Sequence, residues 1–470
     1  MRQRSCLRTL PVAVALTLLT ASWVAEAQVT ILKVGPHGDF VKIQDAIDAA
    51  VVGAQTEIRV EGGTTYVESL LIPASFNDGE LALLGGWDMD FNDRPFAPPG
   101  TIIDGNQADR ALYVRMSGGS LVVDRFTLTN GLADMGAGVS VVLSGDALVT
   151  LEDVRITGNT VTATGSAMGG GMRAAFGENG RVEVLNSRIH NNVAVSTAVD
   201  DARGGGLDIL LTDSASFLVQ GCEIDNNTIE SAGGSLMGAG ISVILVQTTS
   251  GDLLDTTIAD NTAIGTNGYA SGGAINLQNF GTLNVERTAF GLNTVTGGGT
   301  ASQLRTVLSE DASLRMSDSI VVLGDYDGIT MAAYGSSTVN LMNLTVADQL
   351  EDGIDLYQLE TSTVTLYNTI SFGNLVDLRT SGAVDTGSNL IGVDPLFVNP
   401  AAIDYHLRIG SPAENAGDNS PPGGLGLLDF DGNPRIKDVT VDIGCYEGIA
   451  EIFSDGFESG DTSAWSNSVP

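Results

Sequence analysis

Through most of this chain apolar residues recur at every second position rather than at helical spacing. After the glycines at 204–206, Leu207, Ile209 and Leu211 alternate with Asp208 and Leu210, a period of two that marks strand. The same unit returns. A glycine-rich run meets an apolar residue at Val139, Met172, Leu207, Ile241 and Ile275, in steps of 33, 35, 34 and 34 residues. About twenty residues after each comes an asparagine: Asn159, Asn192, Asn227, Asn261 and Asn293. Eight positions before these stand Leu151, Val184, Val219, Leu253 and Val285, and three before stand Ile156, Ile189, Ile224, Ile258 and Phe290. Both columns are apolar in every copy, while the position just before the first column varies freely (Thr150, Glu183, Leu218, Asp252, Asn284). A shorter copy follows, with a step of 25, in Leu314, Val339 and Val364.

Equal copies of short strands, with like positions buried alike, predict a parallel β-solenoid in which each copy is one coil. Like positions then stack about 4.8 Å apart and backbone hydrogen bonds run between coils. Thirty-odd residues leave room for three short strands and their bends. Glycines turn the corner into the first strand where a Cβ would clash, and the asparagines are placed to stack as a ladder of amides at the last bend. Cys222 falls in a column with Val154, Ser187, Thr256 and Thr288, which predicts a packed thiol rather than a bridge to Cys445. Residues 39–54 carry Phe40, Ile43, Ala46, Ile47 and Ala50 at helical spacing, so a short amphipathic helix is expected to cover the open edge of the first coil. Residues 388–448 lose the period and read as an irregular C-terminal cap; residues 449–470 are polar and Ser-rich and read as a flexible tail. The expected class is therefore all-β, with the solenoid and its N-terminal cap over residues 28–387.

The first 27 residues change where this rod is expected to work. Arg2, Arg4 and Arg8 precede a short apolar run, and Ala25-Glu26-Ala27 has the form of a cleavage site, together the pattern of a secretory signal peptide. Its loss removes three Arg and Glu26, leaving 19 basic against 56 acidic residues, a net charge of −37 against −35 for the whole chain. Such a surface repels nucleic acid, anionic membranes and acidic polysaccharides. No apolar stretch is long enough to span a bilayer. Two cysteines beyond the leader, Cys222 and Cys445, are too few for a disulfide framework.

These segments resemble secreted right-handed parallel β-helix proteins of the pectin-lyase-like fold. The resemblance begins with VGPHGDFVKIQDAIDAA and EIRVEGGTTYVESLLIP, which look like that fold's opening strand, capping helix and second strand. The Gly-Gly-Ala-Ile and Phe-x-x-Asn units are similar to those of polymorphic outer-membrane proteins. DPLFVNP, DYHLRIGSPAENAGD and DFDGNPRIKDVTVDIGCYE resemble the choice-of-anchor Q domain, although Glu414-Asn415 stands where that family commonly has Ile-Asp and Cys445 where it commonly has Ala. The resemblance implies a protein at the surface of a Gram-negative bacterium or released from it. It leaves activity open, since one fold hosts lyases, hydrolases, esterases and adhesins.

Candidate chemistry is sparse. Hydrolases of this shape resemble one another in clustered Asp, a His-Gly pair and an Arg-Ile-Lys triplet; here His37-Gly38 and Arg435-Ile436-Lys437 lie at opposite ends of the chain. Glycoside hydrolysis needs two carboxyl groups roughly 5–9.5 Å apart. The first outward column of the first strand (Ser140, Arg173, Asp208, Ser242, Asn276) holds one acid, and Leu218 separates Glu183 from Asp252 on the second. Asp200-Asp201-Ala202-Arg203 is the densest charged group beside a strand and reads as a solvated loop. The next outward column, Val142, Ala175, Leu210, Ile244 and Gln278, is an apolar ribbon, expected either to lie under the protein's own loops or to bind a glycan or protein ligand. No cofactor is required. Calcium is the one ion with a candidate place, at Asp429, Asp431 and Asn433, whose oxygens alternate around Gly432 like half of a calcium loop. No catalytic residue is assigned. The expectation is an exported, non-catalytic recognition scaffold, with a polysaccharide lyase or glycoside hydrolase as the alternative.

Overall fold

The computed structural model describes residues 29–98, 100–265, 270–296, 302–437 and 439–448; the expected leader (1–27) and tail (449–470) lie outside the described residues. Three long sheets run side by side, all of parallel strands. The front sheet has eleven, from Leu70–Ile72 to Val376–Ser381; the floor sheet thirteen, from Thr30–Val34 to Asp385–Gly387; the rear sheet twelve, from Thr64–Val67 to Leu390–Ile391. The chain visits front, floor and rear in turn and moves on by one coil, which makes a right-handed parallel β-helix. No helix among the described residues is long and apolar enough to cross a membrane.

Register confirms the columns read from spacing. Leu151, Val184, Val219, Leu253 and Val285 pair in succession on the floor sheet, and none is more than 3% exposed. Ile156, Ile189, Ile224, Ile258 and Phe290 do the same on the rear sheet, fully buried. One left-handed residue bends floor into rear in each coil: Asp153, Asn186, Gly221, Asp255 and Arg287, with φ between 47° and 65°. Cys222 stands next to that bend, 2% exposed and free, and burial pushes its thiol up to about 11.

The longer copies hold five strands, not three. After Asn227, for instance, the chain forms Thr228–Ser231 and Leu236–Met237 before it reaches the front strand Leu207–Leu211's successor, Ile241–Leu245. Such pairs build two narrow sheets of six and four strands, a lobe with its own small core of Val161, Ala194, Ala202, Ile229, Leu236 and Ala263. The 25-residue copies pass straight from rear to front sheet, so the change of step is the loss of the lobe.

The asparagine ladder therefore lies at the root of the lobe, inside the coil rather than at its last bend. Asn159 Nδ2 donates to Asn192 Oδ1 (3.0 Å), Asn192 to Asn227 (3.0 Å), Asn227 to Asn261 (3.0 Å) and Asn261 to Asn293 (2.9 Å). It ends on Gln303, whose Oε1 accepts from Asn293 (2.7 Å). The glycines make room for it. A Cβ at Gly206 would lie 2.6 Å from the Gly240 carbonyl and 3.0 Å from the Asn227 amide, and Gly204 sits at φ 56°, with the Leu207 carbonyl 2.2 Å from its missing Cβ.

At the N-terminal end the helix Ile43–Ala49 buries Ile43, Ala46 and Ile47 against the first coil. Its first amides are capped from a distance, with Ile43 and Gln44 N–H donating to the two oxygens of Glu68 (2.9 and 3.1 Å). Residues 397–446 lie along the flank of the last coils. Phe397, Tyr405, Ile443 and Cys445 pack on Ile320, Val322, Ala347 and Ile370, the outward residues of the rear sheet.

Candidate functional site

One register position of the front strands forms a single file, the second residue of the five-residue strands and the fourth of the longer ones that follow: Ser140, Arg173, Asp208, Ser242, Asn276, Arg305, Thr330, Asp355 and Arg379. Its first part faces outward, as expected, yet it is not a surface. Ser140, Asp208 and Ser242 are at most 5% exposed, because the left-handed glycine at each corner folds a lobe strand back over them. The strand Ala202–Arg203 is one of these, so Ala202 and Arg203 are packed structure and not solvated loop, and Asp201 Oδ1 accepts the Ser235 N–H (2.9 Å). Arg203 and Arg173 flank the buried Asp208, at 3.7 and 3.4 Å. Burial raises the pKa of Asp208 despite both guanidinium groups.

Where the lobe ends, the file emerges and gains acids. Asp327 and Asp352 stand two residues before Ile329 and Ile354, which pair in adjacent coils, and Asp355 follows on the same strand as Asp352. Asp352 N–H donates to Asp327 Oδ1 (3.1 Å), whose other oxygen accepts from Thr330 Oγ1 (3.1 Å). Arg379 Nη2 reaches Asp352 Oδ2 at 2.8 Å. Tyr357 OH donates to Asp355 Oδ2 (2.8 Å), while Asp355 Oδ1 is buried without a partner on a residue only 6% exposed. Burial raises the pKa of Asp327, helped by the charges of Asp352 and Glu351. Burial likewise raises Asp355, with Asp352 adding to it and Arg379 opposing. An anion paired with arginine beside two carboxyl groups that hold their protons longer is an arrangement that can give and take a proton.

The outward columns of the 34-residue copies do not reach this cluster, which lies in the 25-residue copies. Asp-Gly-Ile at 327–329 and again at 352–354, one 25-residue step apart, is the signal that marks it.

Beside the file runs the apolar ribbon. Val142, Ala175, Leu210 and Ile244 lead, by way of the polar Gln278, to Val307, Ala332 and Tyr357 in the coils that follow. None of the seven apolar and aromatic residues in this column is buried; Val142 is 38% and Tyr357 37% exposed. The expected cover by the protein's own loops is partial: Ala175, Leu210, Ile244, Val307 and Ala332 are half-buried, and Val142 and Tyr357 are exposed. On the floor sheet Leu218 stands between Glu183 and Asp252, and Glu183 is held by Arg181 (2.7 Å).

The candidate calcium residues are otherwise engaged. Asp429 is fully buried and accepts from Asn433 N–H (2.7 Å), Glu447 N–H (3.0 Å) and Asn433 Nδ2 (3.3 Å). Asp431 turns to His406, with Oδ2 2.8 Å from Nε2. A cation at this turn would have to displace those donors. Among the described residues no group of three His, Cys, Asp or Glu is placed to hold a metal. Arg435 is 1% exposed and donates to the carbonyls of Cys445 (2.9 Å) and Gly444 (2.6 Å) beside Asp318 and Glu447. It pins the C-terminal segment and is out of reach of a ligand. His37 pairs with Glu61 (2.8 Å) at the far end.

This anchor has a pH signature. Burial pushes Glu447 up to about 8, against the pull of Arg435. A carboxyl raised in the folded state contributes stability that is fully present below its unfolded value, about 4.5, and lost as pH rises through 8. We expect the melting temperature to fall between pH 5 and 8.5 and the slope to flatten in Glu447→Gln; calorimetry at constant ionic strength checks both.

No family model and no curated protein sequence matches the chain. Among solved structures it is similar to pectate lyase Pel9A, with 13% identity and a TM-score of 0.37 over 90% of this chain and 96% of that one. It is also similar to a pectin methylesterase from Aspergillus niger, with 12% identity and a TM-score of 0.28 over 66% and 85%. Similarity at this level carries nothing about activity. The right-handed parallel β-helix stands on the sheets and their register.

Proposed function

We propose that the protein is an exported recognition scaffold that holds an extended, uncharged saccharide along the outer face of its front sheet. The observation that carries this is the half-exposed ribbon from Val142 to Tyr357, which ends where the Tyr357 hydroxyl is fixed by Asp355 beside Arg379. Seven coil steps give a track roughly 34 Å long. Apolar side chains and a tyrosine ring suit the flat faces of sugar rings, and fixed carboxylates suit their hydroxyls. The net charge of −35 disfavours acidic chains.

A second reading, a glycoside hydrolase or lyase, draws support from the raised pKa values of Asp327 and Asp355 beside the arginine-paired Asp352. A polysaccharide panel assayed for both retention and cleavage, with and without calcium, separates the two. The scaffold reading expects retention without shortened products. Leu210→Asp is expected to lower retention at least roughly fivefold, about 1 kcal/mol, at an unchanged melting temperature. Unfolding of that variant would make the ribbon internal packing. Cleavage that disappears in Asp355→Asn would make the protein an enzyme.

A further inference from the structure

The turns that join front to floor sheet keep one length through the neighbouring coils, with one exception. Four residues, 246–249, link Ile241–Leu245 to Ser250–Leu254, and four, 309–312, link Ser302–Leu308 to Ser313–Ser317; between them Phe280-Gly281 alone link Ile275–Asn279 to Thr282–Glu286. The short turn leaves a notch of about 580 Å³, floored by Phe280 and walled by Gln247 and Thr249 on one side and Glu310 and Asp311 on the other. The flanking turns are two coil steps apart, about 9.6 Å, and the volume is that of a small-molecule site.

The notch also interrupts a hydrogen-bond ladder. Glu178 N–H donates to Asp213 Oδ2 (3.2 Å) and Asp213 N–H to Gln247 Oε1 (2.7 Å), each turn's amide being taken by the next coil's side chain. Gln247 should donate in the same way, but Phe280 stands where its partner would be, and the Gln247 amide, at φ 66°, has no acceptor among the described residues. Thr249 is 1% exposed, and its Oγ1 is buried without a partner. The Phe280 ring is 40% exposed.

We infer that this notch is a second saccharide site, which takes one neutral pyranose ring with its apolar face on Phe280. The inference rests on the reading of the protein as a saccharide binder, but on different residues from the ribbon. Ring hydroxyls supply an acceptor for the Gln247 amide and donors for the Glu310 carboxylate and the second oxygen of Asp311, whose Oδ1 already accepts from Ser336 Oγ. A lysine or arginine from a protein partner would satisfy Glu310 and Asp311 but set a cation against the Gln247 N–H. An acidic sugar would meet both carboxylates.

The test is calorimetric titration of the full chain with maltohexaose, cellohexaose, xylohexaose and, separately, hexalysine. One of the neutral hexasaccharides is expected to bind. Phe280→Ala is expected to weaken it roughly tenfold, and a two-residue insertion after Phe280, which restores the length of the neighbouring turns, to abolish the Phe280-dependent part, both at unchanged melting temperature. Should Phe280→Ala lower the melting temperature, Glu310→Ala on the exposed wall reads the same site. Tyr357→Ala separates this inference from the ribbon. Weakening by Phe280→Ala but not Tyr357→Ala supports the notch and counts against the ribbon. Weakening by Tyr357→Ala alone overturns the notch and leaves the ribbon standing. Binding of hexalysine in place of every sugar, or of nothing, overturns the notch.

Discussion

Asn227→Ala should remove a large share of the stability of this protein, roughly 3–6 kcal/mol, although Asn227 touches no candidate site. Its Oδ1 accepts both the Asn192 N–H (3.1 Å) and Asn192 Nδ2 (3.0 Å), and its Nδ2 donates to the Ile189 carbonyl (2.9 Å) and Asn261 Oδ1 (3.0 Å). Alanine leaves two donors of Asn192 unpaired where no water reaches, since Asn192, Asn227 and Asn261 are all fully buried. Each orphaned group costs about 1–3 kcal/mol, against about 5–15 kcal/mol that holds a typical domain together. Denaturant unfolding measures the loss, and a second transition is expected because coils are coupled only to their neighbours. Asn227→Asp sharpens the test. It keeps the shape but cannot donate while ionised, so it should be as damaging at pH 7 and partly recover in acid, when the protonated carboxyl donates again. A loss under about 1 kcal/mol for Asn227→Ala would mean that the ladder only follows the coils and does not join them.

The ladder was legible before any coordinates because both of its ingredients repeat. Asparagine needs a neighbour at the same height in the next coil, and the glycine at the corner of its own copy must leave it space, so the two residue types recur together at one step. Buried columns such as Leu151, Val184 and Val219 were legible for the same reason. What the spacing did not carry was the direction taken between the repeats. Nothing in "VAVSTAVDDARGGG" fixes that its strands fold back over Asp208, because this depends on one left-handed glycine, Gly204 (φ 56°), and on a small alanine-rich core shared among several copies. An outward position was therefore read as an exposed one. The acids of the uncovered coils were within reach, as Asp327 and Asp352 are one short step apart. The way residues 397–446 lie on the rear sheet was not, since it rests on single contacts such as Tyr405 OH to Asp348 Oδ2 (2.8 Å) and Cys445 N–H to Thr345 Oγ1 (3.1 Å).

The same burial makes Arg203→Met the second large effect, about 3–5 kcal/mol at pH 7, the usual cost of removing one partner from a buried ionic group. Methionine keeps the apolar stem that packs the lobe but takes one guanidinium from Asp208, leaving Arg173 at 3.4 Å as its counter-charge. Two observations on this group pull apart: two arginines flank the carboxylate, yet burial raises its pKa. The geometry decides between them, because contacts of 3.4 and 3.7 Å do not repay full desolvation, and Asp208 Oδ1 has no hydrogen-bond partner. Removing Arg203 raises that pKa further. The penalty is then largest above the folded pKa and fades as pH falls toward the unfolded value of about 3.9. Melting curves of wild type and Arg203→Met should therefore converge between pH 7 and 4, and Asp208→Asn added to Arg203→Met should return most of the loss at pH 7. A penalty equal at both pH values, or not reversed by Asp208→Asn, would show that Arg203 acts through packing alone. If the charge is what matters, the lobe stays closed over the front sheet because Arg203 tethers it to Asp208. At Arg379, whose side chain is 55% exposed, the same file has no lobe strand to cover it.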